Sequence, residues 1–486
     1  MMMPALYTTG LVLWVALYLG VVYQLLHSGR DADTRLAWLI FITFCMPVGV
    51  ICYCLLGIRY RRREVYRRLH TASEELLDKE LPAGQREALF PEVAEDSVVK
   101  EYRPLVKLLS SCGEWNILQG GNSYEIITSG QRKRELLLED IRNARDFIHI
   151  EYFRFGNDQS GREIRDALQQ KAAEGVEVRF LNNNMIGRII PRSYFRNMCK
   201  AGIQVLPYTH IRNGFRSWLM RLNCQNHRKI VVIDGKIGYT GGMNINDNYF
   251  YKWRDTHMRL EGPVVSRMQV SFADSWISSG GSFSHPLDYY FRLPEGPGSG
   301  RFKDKNVQIV TDEADFPWPT TLLGYDWILQ NVKDYVYIQT PYFVPPDSLM
   351  DALKSAALRG VDVRVMMPRK VDTPFIGPAN RAMYEECLEA GIKIYERSGE
   401  FIHSKTLVAD DGVCIIGASN LDRRSFNINA EVNTFIYDKE TALVCKEIFL
   451  TDQALAKEWS LEEWLEAHKW YSRIASGVMR LGHRML

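Results

Sequence analysis

His227 and Lys229 in NHRKIVVIDGKIGYTGGMN, and His403 and Lys405 in IHSKTLVADDGVCIIGASN, are two copies of one His-x-Lys pattern. Each copy carries an Asp five residues after the Lys (Asp234, Asp410), a Gly seven beyond it (Gly241, Gly417) and an Asn three further on (Asn244, Asn420). Every pair is separated by 403 − 227 = 176, and the same offset carries Asp255 onto Glu431, so an acid follows each His by 28 positions. Such agreement marks a duplication. On a strand, the two-residue side-chain period sets His and Lys on one face, a nucleophile or acid beside a fixed cation. One copy is half a site.

Two copies facing each other across a pseudo-twofold axis would set two imidazoles and two ammonium groups around one phosphodiester. Attack on phosphorus adds charge to the equatorial oxygens, which Lys229, Lys405, Asn244 and Asn420 are suited to stabilise. The second His can protonate the departing alkoxide. Asp255 and Glu431 are suited to bond the far ring nitrogen of each His, fixing tautomer and orientation. Gly241-Gly242 and Gly417-Ala418-Ser419 allow close backbone approach to an anion. Asp234 and Asp410 are candidates for the same machinery, but each ends a strand in an Asp-Gly or Asp-Asp-Gly turn, where a structural role has at least equal weight.

A single His before an apolar strand is ordinarily a partly buried structural residue. Duplication in register with Lys, Asn and an acid reverses that reading. Lys is not a usual metal ligand, and no tight His/Asp/Glu cluster supplies what Zn²⁺ or Mg²⁺ requires, so the sequence predicts metal-independent catalysis without a cofactor.

The elements that must position these residues repeat as well. DFIHIEYF at Asp146 answers DYVYIQTPYF at Asp334, GVEVRF at Gly175 answers GVDVRV at Gly360, and AGIQVL at Ala201 answers AGIKIY at Ala390. β-branched runs alternate with amphipathic stretches such as SGREIRDALQQKAAEG and PDSLMDALKSAALRG, with Pro346-Asp347 and Gly360 as start and stop signals. The expected fold is α/β: two similar lobes, each with a mixed central sheet, in pseudo-twofold arrangement. The first lobe is expected over 100–292 and the second over 301–486, separated by LPEGPGSG from Leu293 to Gly300. Tyr152, Phe153, Tyr342 and Phe343 close parallel strands and are placed beside the pocket with Glu151. A sequence of 486 residues, 46% hydrophobic and 24% charged, supplies cores for such lobes. Nine cysteines without metal spacing point to a reducing compartment.

Upstream, Ala5 to Leu26 and Leu36 to Ile58 are apolar runs each long enough to cross about 30 Å of hydrocarbon. They predict an N-terminal two-helix transmembrane hairpin over 1–63, followed by a charged linker over 64–99. Arg59, Arg61, Arg62, Arg63, Arg67 and Arg68 follow the second run, against Arg30 and Arg35 in the connecting loop, so the basic side and the catalytic region should be cytoplasmic. The expected location is the inner, cytoplasmic membrane, multi-pass. In HIRNGFRSWLMRLNCQ, Phe215, Trp218, Leu219 and Met220 mingle with Arg212, Arg216 and Arg221. That composition fits an anionic interface, with an ordinary loop packing its aromatics inward of equal weight. Trp459, Trp464 and Trp470 near the C-terminus favour core packing.

The paired H-x-K-x4-D with downstream G-x-x-N resembles the phospholipase D superfamily. With the N-terminal apolar runs, the whole chain resembles its bacterial cardiolipin synthase family. The resemblance implies a covalent phosphohistidine intermediate, with His227 as nucleophile and His403 as acid, then base. It also implies phosphatidylglycerol and anionic membrane lipids as partners, and a ping-pong transfer between two phosphatidylglycerol molecules that yields cardiolipin and glycerol. The same residues would serve a hydrolytic phospholipase D, or a transferase using another donor or acceptor such as phosphatidylethanolamine. A nuclease is disfavoured: a net charge of +2 and the lack of a long basic stripe with interleaved aromatics argue against nucleic acid.

Overall fold

The computed structural model describes residues 2–27, 32–54, 93, 97–113, 115–183, 191–208, 225–292, 298–313, 316–373 and 376–467. The runs repeated in the sequence become one set of strands formed twice. From the outer edge inward, the first half orders Gln204–Pro207, Glu177–Asn182, Phe147–Tyr152, Lys229–Ile233, Ile237–Gly241, His257–Glu261 and Leu118–Ile127. The second half orders Lys393–Arg397, Asp362–Pro368, Tyr335–Gln339, Thr406–Ala409, Val413–Gly417, Glu431–Tyr437 and Phe302–Asp312 in the same sequence of roles. Ala456–Trp459 adds one further edge strand to the second.

The two sets do not remain separate sheets. Leu118–Ile127 pairs antiparallel with Phe302–Asp312, and the result is a single mixed sheet of 15 strands. Only the three outer strands that each half repeats from its upstream segment run parallel to one another. Parallel pairs need a crossover, and helices such as Gln159–Ala173 and Asp347–Leu358 supply it. Asp158 caps the first by accepting from Gly161 N–H, while Pro346 precedes the second and Gly360, at φ +94°, follows it, as the sequence signals require. A continuous core crosses the seam, joining Tyr124, Ile230, Met258 and Met268 to Ile309, Tyr335, Ile416 and Val432. Helix Val264–Ser278 is buried from Val264 to Trp276 and packs there. Each such side chain contributes about 1.5–3 kcal/mol by leaving water.

Near the N-terminus are helices Met2–Leu26, Ala32–Phe44 and Val48–Cys52. Of the expected second span, Leu36 to Ile58, residues 55–58 lie outside the described residues; within the rest a helix runs to Phe44, and Pro47, which has no N–H to donate, stands before the short helix that follows. Its 13 residues rise about 20 Å, less than the hydrocarbon thickness of about 30 Å. Among the described residues no helix is long and apolar enough to cross a membrane, the side chains of the first helix being described from Val12 onward. Val21, Leu25, Trp38, Ile42, Val50 and Tyr53 pack together, while Val12, Leu13, Leu17, Leu36, Ile40 and Phe44 are exposed. The Arg59 to Arg68 cluster, nearly all of the expected linker, the Arg212 to Arg221 segment and Trp470 lie outside the described residues. Trp464 is buried against Tyr384 and Trp459, as expected of a core residue.

Candidate active site

Lys229 opens its strand opposite Tyr152, and Lys405 immediately precedes Thr406, which pairs with Gln339. Both His-x-Lys segments therefore stand at the C-terminal edge of the parallel strands, where α/β sheets commonly bind ligands. What joins them is backbone pairing between halves. Asn226 bridges to Ala430 in parallel register, and His227 N–H donates to Ala430 carbonyl oxygen at 2.8 Å. In the same way Phe401–Ile402 pairs with Trp253–Arg254, and His403 N–H donates to Arg254 carbonyl oxygen at 2.7 Å. The residue before each His is thus aligned with the residue before the opposite acid.

That register determines the side-chain partners. Glu431 Oε2 lies 2.8 Å from His227 Nδ1, and Asp255 Oδ2 lies 2.7 Å from His403 Nδ1. Each carboxylate serves the imidazole of the other half. An ionised carboxylate can only accept, so the proton sits on Nδ1 and leaves Nε2 with its lone pair toward the site. Lys229 Nζ donates to His227 carbonyl oxygen at 2.7 Å, and Lys405 Nζ bonds the His403 carbonyl and lies 3.2 Å from His403 Nε2. All six side chains are buried.

Burial dominates their ionisation. It pushes His227 down to about 4 and His403 well below the usual imidazole range. It lowers Lys229 to about 7 and Lys405 to about 8, against the opposing charges of Glu431 and Asp255. The two acids differ. Burial raises Asp255 to about 6, whereas Glu431 falls below its ordinary value because His227 and Lys229 outweigh its burial. Lys229 and Lys405 give the buried site two ammonium groups whose charged form a bound anion would favour.

The other sequence-derived residues divide. Asn244 accepts from Arg154 N–H at 3.0 Å and stands beside Tyr249, while Asn420 N–H donates to Ser425 Oγ at 3.2 Å; among the described residues the buried Asn420 Oδ1 atom has no hydrogen-bond partner. Ser419 Oγ accepts from Asn433 Nδ2 at 2.7 Å, a contact within its own half. Gly241, at φ +135°, pairs with His257, and a Cβ there would come 2.7 Å from the His257 Cα, so it is required by packing between strands. Its neighbour Gly242 leaves the space that the Asp255 carboxylate fills.

Asp234 and Asp410, offered as catalytic, are not brought into the site. Each lies beyond the far end of its strand at positive φ, 52° and 47°. Asp234 accepts from the N–H groups of Arg145, Asp146 and Phe147 at 2.8–2.9 Å, and Asp410 from those of Lys333, Asp334 and Tyr335 at 2.7–3.0 Å. Six residues separate Asp234 from His227, and the five of them in the strand alone span roughly 16 Å of backbone. These carboxylates anchor the start of the neighbouring parallel strand.

Aromatic rings close the walls. Phe153 meets His227 edge-on at 4.7 Å between centroids, with Lys229 Nζ 5.5 Å from its own. Tyr342 donates to Asp372 at 2.7 Å, whereas Phe343 and Tyr152 are core residues. Glu151 lies behind His227, bonded by Asn226 and raised by burial to about 7. The sequence reading missed Tyr249 and Trp253, which flank His403 with centroids at 5.1 and 5.5 Å. Their signal was weak, because matching the two copies finds only residues that both copies share. Among the described residues no group of three or more His, Cys, Asp or Glu side chains is arranged to hold a metal ion.

Comparisons with known proteins place this geometry. The family described as "Cardiolipin synthase, PLD-like domain" matches residues 137–276 and 327–453, one segment in each half. The chain is 36% identical over 466 residues to the major cardiolipin synthase ClsA of Bacillus subtilis, covering 93% of both chains. It is 35% identical over 449 residues to cardiolipin synthase 2 of Staphylococcus epidermidis, covering 90% of this chain and 89% of the other. Its fold resembles the crystal structure of phosphatidylserine synthase from Haemophilus influenzae, with a TM-score of 0.57 and 16% identity over 78% of this chain and all of that one. The chain belongs to the cardiolipin synthase family of phospholipase D-like proteins.

Proposed function

We propose that this enzyme makes cardiolipin and glycerol from two phosphatidylglycerol molecules, in two steps at one site in pseudo-twofold surroundings. The observation that carries this reading is the reciprocal pairing of His227 with Glu431 and His403 with Asp255, flanked by Lys229 and Lys405. His227 Nε2 attacks phosphorus, forming a P–N bond as the P–O bond to glycerol breaks. His403 gives its proton to the departing glycerol oxygen. A free hydroxyl of a second phosphatidylglycerol then attacks the phosphatidyl-His227, returning a proton to His403 Nε2 as the P–N bond breaks.

The unequal acids favour this division of labour. Glu431 is held below the ordinary carboxylate range, so it stays anionic and supports the imidazole that must attack. His403 is a weak base, so its imidazolium is a ready proton donor, and the bound phosphodiester anion supplies the charge that lets it form. Lys229 and Lys405 then offset the negative charge developing on the equatorial oxygens. One phosphodiester replaces another, so the buried position of these groups matters chiefly for excluding water, whose attack would give phosphatidic acid.

Access to lipid comes from the N-terminal hairpin, whose exposed Val12, Leu13, Leu17, Leu36, Ile40 and Phe44 present an apolar face suited to a bilayer. Anchoring there as a multi-pass element would place the catalytic halves at the cytoplasmic surface of the inner membrane. Purified full-length protein given phosphatidylglycerol alone in mixed micelles tests the reaction. Cardiolipin plus glycerol supports it; phosphatidic acid indicates hydrolysis, and turnover only with added phosphatidylethanolamine redirects the donor. Alkaline carbonate extraction of membranes tests the anchor, since release into the soluble fraction would exclude an embedded hairpin.

A further inference from the structure

The two reactive imidazoles are not equivalent. Tyr249 Oη lies 3.3 Å from His403 Nε2, the atom that exchanges protons with the alcohol, and the two rings meet edge to face. Among the described residues nothing hydrogen-bonds His227 Nε2, whose ring meets the apolar edge of Phe153. The duplication explains the difference. The position 425 − 249 = 176 residues beyond Tyr249 is Ser425, whose short side chain accepts from Asn420 N–H and does not reach an imidazole. Tyr249 is fixed where it stands: Asn246 caps its short helix by accepting from Tyr249 N–H, Trp253 packs on its ring at 4.6 Å, and its side chain is buried.

With Nδ1–H committed to Asp255, the neutral His403 accepts at Nε2, which faces two donors, the Lys405 ammonium at 3.2 Å and the Tyr249 phenol at 3.3 Å. At 3.3 Å this bond is long for O–H···N, so an incoming hydroxyl displaces it at little cost. Two polar atoms this close match a particular chemical shape. Neighbouring hydroxyls of a vicinal diol stand about as far apart as an O–H···O hydrogen bond is long, about 2.8 Å. We infer that Tyr249 Oη and His403 Nε2 form a two-point reader for a vicinal diol, making Tyr249 a residue that selects the acceptor. One hydroxyl gives its proton to Nε2 as its oxygen attacks phosphorus, and the adjacent hydroxyl bonds the phenol. Water or a monohydric alcohol fills only one of the two positions. The inference rests on the transfer reading above and adds to it the group that recognises the glycerol headgroup of the acceptor.

The test is a competition between two isomeric soluble acceptors, 1,2-propanediol and 1,3-propanediol, with phosphatidylglycerol as donor in mixed micelles. The two phosphatidyl-propanediol products are separated and their ratio measured for wild type and Tyr249→Phe. Wild type should favour the vicinal isomer by about fivefold, the worth of one ordinary hydrogen bond, and Tyr249→Phe should bring the ratio close to one. A product ratio does not depend on how much of a variant is folded, so a merely destabilised protein would retain the wild-type ratio. An unchanged ratio in Tyr249→Phe, or no preference in wild type, overturns the inference while cardiolipin formation still stands. Wild type that yields phosphatidic acid alone defeats the transfer reading itself, and the inference with it.

Discussion

Asp255 stands 28 residues after His227, yet its carboxylate bonds His403 in the other half at 2.7 Å, and Glu431 returns the contact to His227 at 2.8 Å. Neither half holds a complete His–carboxylate pair. Glu431→Gln and Asp255→Asn preserve shape but replace an acceptor-only carboxylate with an amide that can also donate, so neither tautomer is fixed and each should lower kcat by about 10²–10⁴. Glu431→Gln should also suppress the acid-labile labelling of His227 by radiolabelled phosphatidylglycerol in a single turnover. Labelling at the wild-type rate would sink the assignment of Glu431 to His227.

The charges of the site give activity and stability opposite responses to alkali. Lys229 and Lys405 are lowered to about 7 and about 8 by burial, so raising the pH through that range removes the cations that hold a phosphodiester. Asp255, raised to about 6, is protonated below that value and ceases to fix His403. The kcat/KM profile should therefore be a narrow bell between about pH 6 and about pH 7. For stability the sign runs the other way. Between the folded and unfolded lysine values the unfolded chain binds more protons, so stability increases with pH above about 7. The Tm should rise from about pH 7 to about pH 9 while activity declines, and Lys229→Met should reduce that slope. A Tm that falls over this range in wild type would show that the lysines stay charged in the fold.

Asp234 and Asp410 belong to the recurring motif without belonging to the site. Asp234→Ala would leave three backbone N–H groups without their acceptor at a partly buried turn, at a cost of about 2–3 kcal/mol. Thermal unfolding should move down by several degrees, while turnover per folded molecule stays within about threefold of wild type. Loss of turnover by more than about 100-fold in protein that remains folded would restore the carboxylate to the chemistry.

How much of this was legible in the chain depends on which contacts the duplication records. Strand periodicity and the helix signals at Pro346 and Gly360 act within a few residues, and the matched upstream runs become equivalent strands in the two halves. The equal offsets singled out His227, Lys229, His403, Lys405, Asp255 and Glu431. Which acid serves which His was not legible, because the answer lies in two short parallel pairings, Asn226 with Ala430 and Phe401–Ile402 with Trp253–Arg254, between segments far apart in sequence. Tyr249 was hidden for a different reason: it is one of the places where the copies have diverged, and matching them discards what makes the two imidazoles unlike. The fusion of the halves into one sheet was missed because strand edges carry little sequence signal of their partner. The break within the second apolar run was not legible from hydropathy, which does not register that the helix loses a hydrogen bond at Pro47.

Gly242 supplies the sharpest test of whether the acid's placement matters independently of its charge. A Cβ at this position would overlap Asp255 Oδ1, and the carboxylate has little room to yield, since it is fully buried, accepts from Thr256 N–H at 2.7 Å and holds His403 on its other oxygen. Gly242→Ala keeps every titratable group and every motif residue. It should nonetheless lower kcat by about 100-fold, since displacement of the carboxylate releases the His403 ring from its productive orientation. Circular dichroism and Tm should show a folded protein, because the overlap is confined to one side chain at the start of a loop. Wild-type turnover from folded Gly242→Ala protein would mean that His403 is oriented by something other than Asp255, with Lys405 and Tyr249 the remaining polar contacts to its ring.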